Sequence, residues 1–342
     1  QSLYIARAKC AAFGEFGRRG AVSNLLRLIG RRLIALPIMI LGVTLLVFFL
    51  MALSPVDPAY SALGETASAA EVAAYREAHG LNDPIVVQYF NYLGGLIQGD
   101  LGSYGANDSM SVGAQIAKAL PVTLQLTFFG LIIGVILATI LGVISALYRD
   151  RWPDQVIRVI SIVCIAMPSF WLAVLLIMWV FGAHIQSILP VSGALPDMGT
   201  DFAGWARRMF LPAIALAVPL TGQLTRVIRT SMVEELDKDY VRTAMGFGIP
   251  KGVVIARNVL RNALITPVTV LGMRIGYLIG GAVVIEVIFN LQGMGMTIYN
   301  AITSHYTMLV MGVVLVVAIT FIIINIIVDM LYILIDPRIR TV

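Results

Sequence analysis

The chain has 342 residues, of which 59% are hydrophobic and only 13% are charged, and its formal net charge is +5. Soluble globular proteins carry roughly 25% charged residues, so this composition excludes a chain whose only solvent is water. A positive net charge is typical of proteins that bind nucleic acid, but it also arises from cations that flank membrane helices. The positions of the cations decide between these two explanations.

Six apolar runs approach or exceed the length of about 20 residues that a helix needs to cross a bilayer. They are Leu33–Leu53, Pro121–Tyr148, Val159–Phe181, Met209–Leu224, Ala263–Phe289 and Met308–Ile335. The fourth run is short and contains Pro212 and Pro219, which membrane helices tolerate where neighbouring helices satisfy the freed carbonyls. The sequence therefore predicts an all-α polytopic membrane protein with about six transmembrane helices.

The Lys and Arg residues are unevenly distributed along the chain. Most of the 24 lie before the first run, between the second and third, between the fourth and fifth, and after the sixth. Cations that flank membrane helices are retained on the cytoplasmic side. This pattern predicts that both termini are cytoplasmic, and it explains the net charge without a nucleic-acid partner. The first run is too long for a signal peptide, and we expect it to be retained.

The chain divides into a basic cytoplasmic segment, 1–30, and a transmembrane domain, 31–342. The domain carries one substantial polar insert on the outer side, 54–118, which we expect to be folded. Its Ala/Glu pattern predicts a helix from Ser68 to His79, closed by a glycine and followed by a proline.

A second helix in the insert is predicted over Ile85–Ile97. A period of 3.6 residues places four apolar side chains on one side of it. They are Val86, Tyr89, Phe90 and Leu93. This helix should lie against the membrane surface or pack on the spans. Another outer loop, Asn290–Tyr306, contains the run Gly293–Gly295, which we interpret as a turn because it lacks the pattern of a dinucleotide fold.

The longest internal cytoplasmic loop, Arg226–Arg261, has the character of a docking surface. We predict a short helix from Glu234 to Met245, broken by Gly246 and Gly248. A second helix should start at Ile249-Pro250, since proline suits the first helical turn. A short, rigid helix that projects from the membrane could transmit the motion of a partner.

No motif for enzymatic chemistry is present in the sequence. There is no GxxxxGK[ST] phosphate loop and no GxSxG elbow, and the three histidines are widely separated. Cys10 and Cys164 imply neither a disulfide nor a metal site. We therefore expect a chain that is not an enzyme and that binds no cofactor or metal itself.

The fifth run contains the candidate residues for a pathway or gate. Arg274 is costly at bilayer depth unless it faces protein or water; it either lines a pathway or satisfies carbonyls or an acid on a neighbouring helix. Glu286 lies twelve residues further on, roughly 18 Å along a helix, too far for a direct pair. Gly272, Gly276 and Gly280 form a small-residue stripe that serves close packing or a sliding gate.

Several segments resemble, in the same order, those of a known family. Before the cytoplasmic loop stand, in chain order, RRLIALPIMILGVTLLVFFLMALSPVDPA, HGLNDPIVVQYFNYL and GDLGSY. The loop itself contains YVRTA, a glycine four residues later, and then LRNAL. After the loop come VIEVIFNLQGMG and NIIVDMLYILIDPRIR. From Leu26 onwards the sequence is similar to inner-membrane permeases of the dipeptide, oligopeptide and nickel class of binding-protein-dependent ABC importers. It departs at Met245 and Phe247, where the family carries basic residues, and at Gln292, where it carries proline.

The resemblance implies the fold of a type I ABC importer permease in the bacterial cytoplasmic membrane. It implies a second related permease, an extracytoplasmic substrate-binding protein and two cytoplasmic ATPase subunits, which use ATP and Mg. The residues of the ATPase-coupling loop would be Tyr240, Val241, Arg242, Thr243, Ala244, Gly246, Phe247 and Gly248. The alternatives are an ion-gradient-driven secondary transporter or channel, which should carry paired intramembrane charges, and a membrane scaffold without transport.

Overall fold

A computed structural model describes residues 30, 34, 36–54, 57–64, 67–105 and 108–335. The side chains of Asp329 and of 331–335 are outside this description. So are almost all of the predicted basic segment 1–30 and the last residues, 336–342.

The regular secondary structure of the described residues is helical apart from one small hairpin. The helices are α1 (Leu36–Ala52), α2 (Pro58–Leu63), α3 (Ala69–Ala78), α4 (Ile85–Ile97), α5 (Val112–Leu147), α6 (Trp152–Ala166), α7 (Ser169–Gly182), α8 (Phe202–Leu236), α9 (Asp239–Gly246), α10 (Lys251–Val253), a π-helical segment (Val254–Val259), α11 (Leu260–Ala263), α12 (Ile265–Ile288), α13 (Met294–Thr303) and α14 (Thr307–Ile335). Strands β1 (Ser103–Tyr104) and β2 (Met110–Ser111) pair antiparallel. The predicted all-α polytopic class is confirmed.

Four of these helices, α5, α8, α12 and α14, are long and apolar enough to cross a membrane. The bent pair α6 and α7 raises the number to five if it forms one span, and α1 is shorter over its described residues. The prediction that Val159–Phe181 forms one continuous helix was wrong, because α6 and α7 meet at an angle of 102°. Pro168 explains the break: Met167 before it has extended backbone, as a residue preceding proline prefers.

Helices α5 and α8 cross closely at the centre of the fold. Gly134 and Gly142 of α5 face α8, where an added Cβ would come within 2.9 Å of Leu220 and 2.7 Å of Ile228. Small residues allow two membrane helices to approach in this way. The predicted fourth run, Met209–Leu224, is only the middle of α8. The whole helix has 35 residues and contains both Pro212 and Pro219.

The insert 54–118 contains the two helices that its local sequence predicts. Ser68 and Glu71 form a reciprocal capping box at the start of α3. Gly80 follows the end of this helix with φ +63°, a conformation that glycine adopts without strain. Helix α4 has the predicted bounds.

Part of the predicted apolar face of α4 packs on α1. Tyr89 is buried and Leu93 partly buried against α1, where the Tyr89 hydroxyl lies 3.1 Å from Thr44 Oγ1. Val86 and Phe90, in contrast, are exposed. The helix turns its tyrosine face towards α1 because that face carries both a large ring and a hydroxyl that finds a partner there.

Two further loop predictions need correction. The predicted helix from Glu234 to Met245 is interrupted, because α8 extends to Leu236 and α9 begins only at Asp239. The run Gly293–Gly295 is not a turn in the structure: Gly293 is the N-cap of α13 and Gly295 lies in its first turn.

Candidate coupling and translocation site

Helix α9 ends in a tight glycine turn. Gly248 has φ +78°, its N–H donates to Met245 O at 3.0 Å, and the Ile249 N–H donates to Ala244 O at 3.3 Å. These two bonds form a Schellman motif, in which glycine is the residue that takes the left-handed conformation. Gly246 is the last helical residue rather than a break.

Two side chains fix α9 to the rest of the chain. Val241 is buried in the main core. The Tyr240 hydroxyl donates to Glu235 Oε2 of α8 at 2.8 Å and accepts from Asn262 Nδ2 of α11 at 3.3 Å. Burial and the hydrogen bond to Glu235 raise the pKa of Tyr240, while Asn262 acts in the opposite direction, so the hydroxyl stays a neutral donor at physiological pH.

The remaining surface of α9 and its turn faces outward. Arg242, Thr243, Gly246 and Gly248 are exposed, and Ala244 is half-buried. Phe247 at the tip is 83% exposed. The eight residues predicted for the coupling loop thus divide into a buried anchor, Val241, a half-buried bridge, Tyr240, and a largely exposed surface with an aromatic tip.

A buried ion-pair network lies where α8 approaches α9, and the sequence interpretation missed it. Asp154 of α6 is fully buried and accepts hydrogen bonds from Arg229 of α8 at 2.7 and 2.6 Å. It also accepts from Ser145 Oγ of α5 at 2.5 Å, from the Asp150 N–H at 2.9 Å and from Arg158 at 3.1 Å. One carboxylate therefore joins three membrane helices.

The sequence held one signal for this network. Asp154 lies in the first turn of a helix, four residues before Arg158, inside a cationic segment, and an acid is favoured at a helix N-terminus. Arg229 is separated from it by 75 residues, and no local pattern links the two.

Arg274 lies on the wall of an open cavity of about 540 Å³ between α6, α8 and α12. No ion pair or hydrogen bond of its side chain occurs within the described part of the chain. The cavity is lined by Ile165, Gln223, Arg226, Val227, Thr230, Ser231, Glu234, Thr266, Val270 and Arg274. The structure thus places Arg274 at a polar, open surface.

Glu286 lies away from this cavity, at the far end of α12. Its carboxylate is fully buried beneath the start of α13, where Oε2 accepts from the Gly295 N–H at 2.6 Å. An added Cβ at Gly293 would lie 2.4 Å from the carboxylate. Arg208, also buried, donates to Phe289 O at 2.5 Å and so satisfies the C-terminal end of α12.

The three glycines of the predicted stripe have different surroundings. Gly272 and Gly276 face α14, where an added Cβ would come within 2.3 Å of Val328 and 2.1 Å of Phe321. Gly280 has open space around it. Two of the three therefore mark a close helix crossing. No cluster of His, Cys, Asp or Glu able to hold a metal ion occurs in the described ranges.

Comparisons with known proteins agree with these features. Residues 138–341 match the sequence profile of the binding-protein-dependent transport system inner membrane component, and residues 25–127 match the N-terminal profile of such membrane components. The chain is 35% identical over 328 residues to the probable D,D-dipeptide transport system permease protein DdpB of Escherichia coli K12, covering 89% of this chain and 94% of that protein.

Two further relatives have the same extent. A putative peptide transport system permease protein of Brucella abortus is 38% identical over 306 residues, which are 90% of this chain and 96% of that protein. The dipeptide transport system permease protein DppB of Alkalihalophilus pseudofirmus is 36% identical over 335 residues, with 91% and 98% covered.

Proposed function

Because the chain belongs to the inner-membrane components of binding-protein-dependent transport systems, we propose that it forms half of the translocation pathway of an ATP-driven importer of peptides or a similar small solute. Its relatives of similar length are named as peptide and dipeptide permeases. The chain is a multi-pass protein of the bacterial inner membrane, and in this proposal both of its termini are cytoplasmic.

The exposed tip of α9 carries the proposal. Phe247 is 83% exposed, whereas Val241 of the same helix is 2% exposed. An aromatic side chain held in water by a rigid, anchored turn is typical of an interface anchor. Met245 and Ile249 are also exposed, so the contact with a partner would be largely apolar.

The partner at this tip is a cytoplasmic ATPase subunit. In the proposed assembly two ATPases bind and hydrolyse ATP with Mg, while this chain pairs with a second, related permease and binds no nucleotide. The folded insert that contains α2, α3 and α4 faces an extracytoplasmic binding protein, which delivers the solute.

ATP-driven closure would reach the membrane through contacts already described. The α9 tip is tied to α8 and α11 by Tyr240, and α8 is tied to α6 and α5 through Asp154. Helices α6, α8 and α12 also surround the open cavity that contains Arg274. A push on α9 would therefore move the helices that border the pathway.

The test is ATP-dependent uptake by the complex reconstituted in proteoliposomes with its binding protein and ATPases. Uptake that requires ATP and is unaffected by ionophores supports an ATP-driven importer. Uptake driven by an ion gradient would instead identify a secondary transporter. The absence of any uptake would favour a membrane scaffold without transport.

Phe247→Ala tests the docking surface within this assay. It should release the ATPase subunits during purification and reduce uptake, with no change in thermal stability. Phe90→Ala, also at an exposed phenylalanine, is the control and should retain both ATPases. Equal retention in the two variants would refute the assignment of the tip.

A further inference from the structure

The open cavity is bordered by two helix faces that contribute most of its polar side chains. On α8, Gln223, Arg226, Thr230 and Glu234 line it, and on α12, Thr266, Val270 and Arg274 do. The intervals of three, four and eight residues keep each set on one side of its helix. Two arginines and one glutamate thus share an open space of about 540 Å³.

The charges in this cavity are not used to hold the fold. Arg226, Arg274 and Glu234 form no ion pair among the described residues. The contrast with Arg229 is direct: it lies three residues from Arg226 on α8, and Asp154 binds its guanidinium through two hydrogen bonds. Arg226 and Glu234 are exposed, and Arg274 is half-buried on the membrane-crossing helix α12. A charge within a membrane helix is costly, and it is typical of a functional site when it faces a cavity.

The charges are arranged by sign along the cavity. Gln223 and Arg274 both line a second, smaller cavity further in, so Arg274 lies at the Gln223 and Arg226 end. Glu234 is eight residues from Arg226 on α8, about 12 Å at 1.5 Å per residue. The cavity is therefore cationic at one end and anionic at the other.

We propose that Arg226 and Arg274 bind the C-terminal carboxylate of a short peptide and that Glu234 binds its N-terminal ammonium group, as the peptide passes through the cavity. This inference rests on the proposed import function. Guanidinium groups bind carboxylates through charge-assisted, often paired hydrogen bonds. Extended chain spans about 3.3 Å per residue, so a peptide of a few residues reaches from one charged end to the other.

Glu234 distinguishes this ligand from an inorganic anion. Phosphate or sulfate would also be attracted by the two arginines, but nothing in these ions pairs with the carboxylate. A zwitterionic peptide can pair its carboxylate with the two arginines and its ammonium group with Glu234. Thr230 and Gln223 add uncharged hydrogen-bonding groups between and beside them, which suits a peptide backbone of any sequence.

The test measures binding to the assembled complex without its binding protein. In a chain with Cys10 and Cys164 replaced by serine, Thr230→Cys places one thiol in the cavity, and its labelling rate by a thiol reagent is measured. Trialanine should protect the thiol, whereas trialanine amide and N-acetyltrialanine should protect about tenfold more weakly, since one charge-assisted contact of about 1.4 kcal/mol corresponds to that factor. Val270→Cys serves as a second reporter if Thr230→Cys does not assemble.

Charge-removing variants complete the test. Arg226→Gln and Arg274→Gln should abolish the preference for the free carboxylate, and Glu234→Gln the preference for the free amine. Arg257→Gln, at an exposed arginine that does not line the cavity, should leave both preferences intact. Equal protection by all three peptides, or no protection, would overturn the inference.

The failures of the two proposals are separable. If the complex imports peptide with ATP but shows no selective protection, the proposed function stands and the peptide site is refuted. If selective protection occurs in a complex that shows no ATP-driven uptake, the peptide site stands and the importer function is refuted.

Discussion

Arg229 binds Asp154 through two parallel hydrogen bonds, Nε to Oδ1 at 2.7 Å and Nη2 to Oδ2 at 2.6 Å. The carboxylate is fully buried, and the arginine side chain is 19% exposed. This paired geometry fixes both distance and orientation between α6 and α8. It lies at the end of α8 that continues to α9, so the bent pair α6 and α7 and the proposed coupling helix are mechanically linked.

Asp154→Asn should destabilise the protein strongly. The change removes the buried carboxylate that binds the Arg229 guanidinium, and the other carboxylate near this arginine, Asp150, is 4.0 Å away and exposed. Breaking a buried ion pair costs roughly 3–5 kcal/mol. Thermal unfolding of the purified complex measures the loss. Asp150→Asn is the matched control, because the Asp150 side chain is 71% exposed and exposed ion pairs such as those it forms with Arg149, Arg158 and Arg229 contribute about 0–1 kcal/mol. Similar thermal midpoints for the two variants would contradict the structural role of Asp154.

Gly248→Ala should impair coupling more than Gly246→Ala. Neither added methyl group meets a neighbour within 4 Å, so only the backbone distinguishes the two positions. Gly248 has φ +78°, where alanine costs roughly 1–2 kcal/mol, whereas Gly246 is helical and alanine favours helix. ATP-driven uptake and ATPase activity, measured together, should separate in Gly248→Ala and remain coupled in Gly246→Ala. The same coupling ratio in both would exclude a role for the left-handed turn.

Local signals in the sequence were enough to predict the outer insert. The bounds of α4 agree, and α3, Ala69–Ala78, lies within one residue of the predicted Ser68–His79 at each end. Hydropathy was less informative about helix ends, because it marks the apolar part of a helix rather than the full length of the helix. For this reason α8 extends well beyond the predicted Met209–Leu224, at both ends.

Long-range pairing could not be predicted from one sequence. The stripe at Gly272 and Gly276 was recognised, yet Gly134 and Gly142 of α5 also mark a close crossing, and it was not singled out. These two glycines are eight residues apart rather than four, and only the position of the facing helix reveals their role. The partners Arg229 and Asp154 illustrate the same limit, since they are 75 residues apart.

The outer insert should lose stability in acid through Asp57. Burial alone would raise the pKa of Asp57, but hydrogen bonds from Arg76 and the Ala59 N–H, with the charge of Arg76, hold it below its ordinary value. The stabilisation is therefore complete above the unfolded pKa of about 3.9 and is lost as pH falls through the lower folded pKa. Hydrogen-exchange protection of α2 and α3 should decrease in that range. Asp57→Asn should remove this dependence, and an unchanged acid profile in the variant would show that another group is responsible.

Gly272→Ala should destabilise the crossing of α12 and α14, whereas Gly280→Ala should not. The methyl group at position 272 would lie 2.3 Å from Val328 Cγ1, and a β-branched valine in a helix has essentially one side-chain conformation with which to respond. Such overpacking costs typically 1–3 kcal/mol. Position 280 has open space, so its methyl group adds no clash. The thermal midpoints of the two variants in the same detergent measure the difference directly. A similar decrease in both would mean that α12 is sensitive to any added volume, and the close approach at Gly272 would then have no special role.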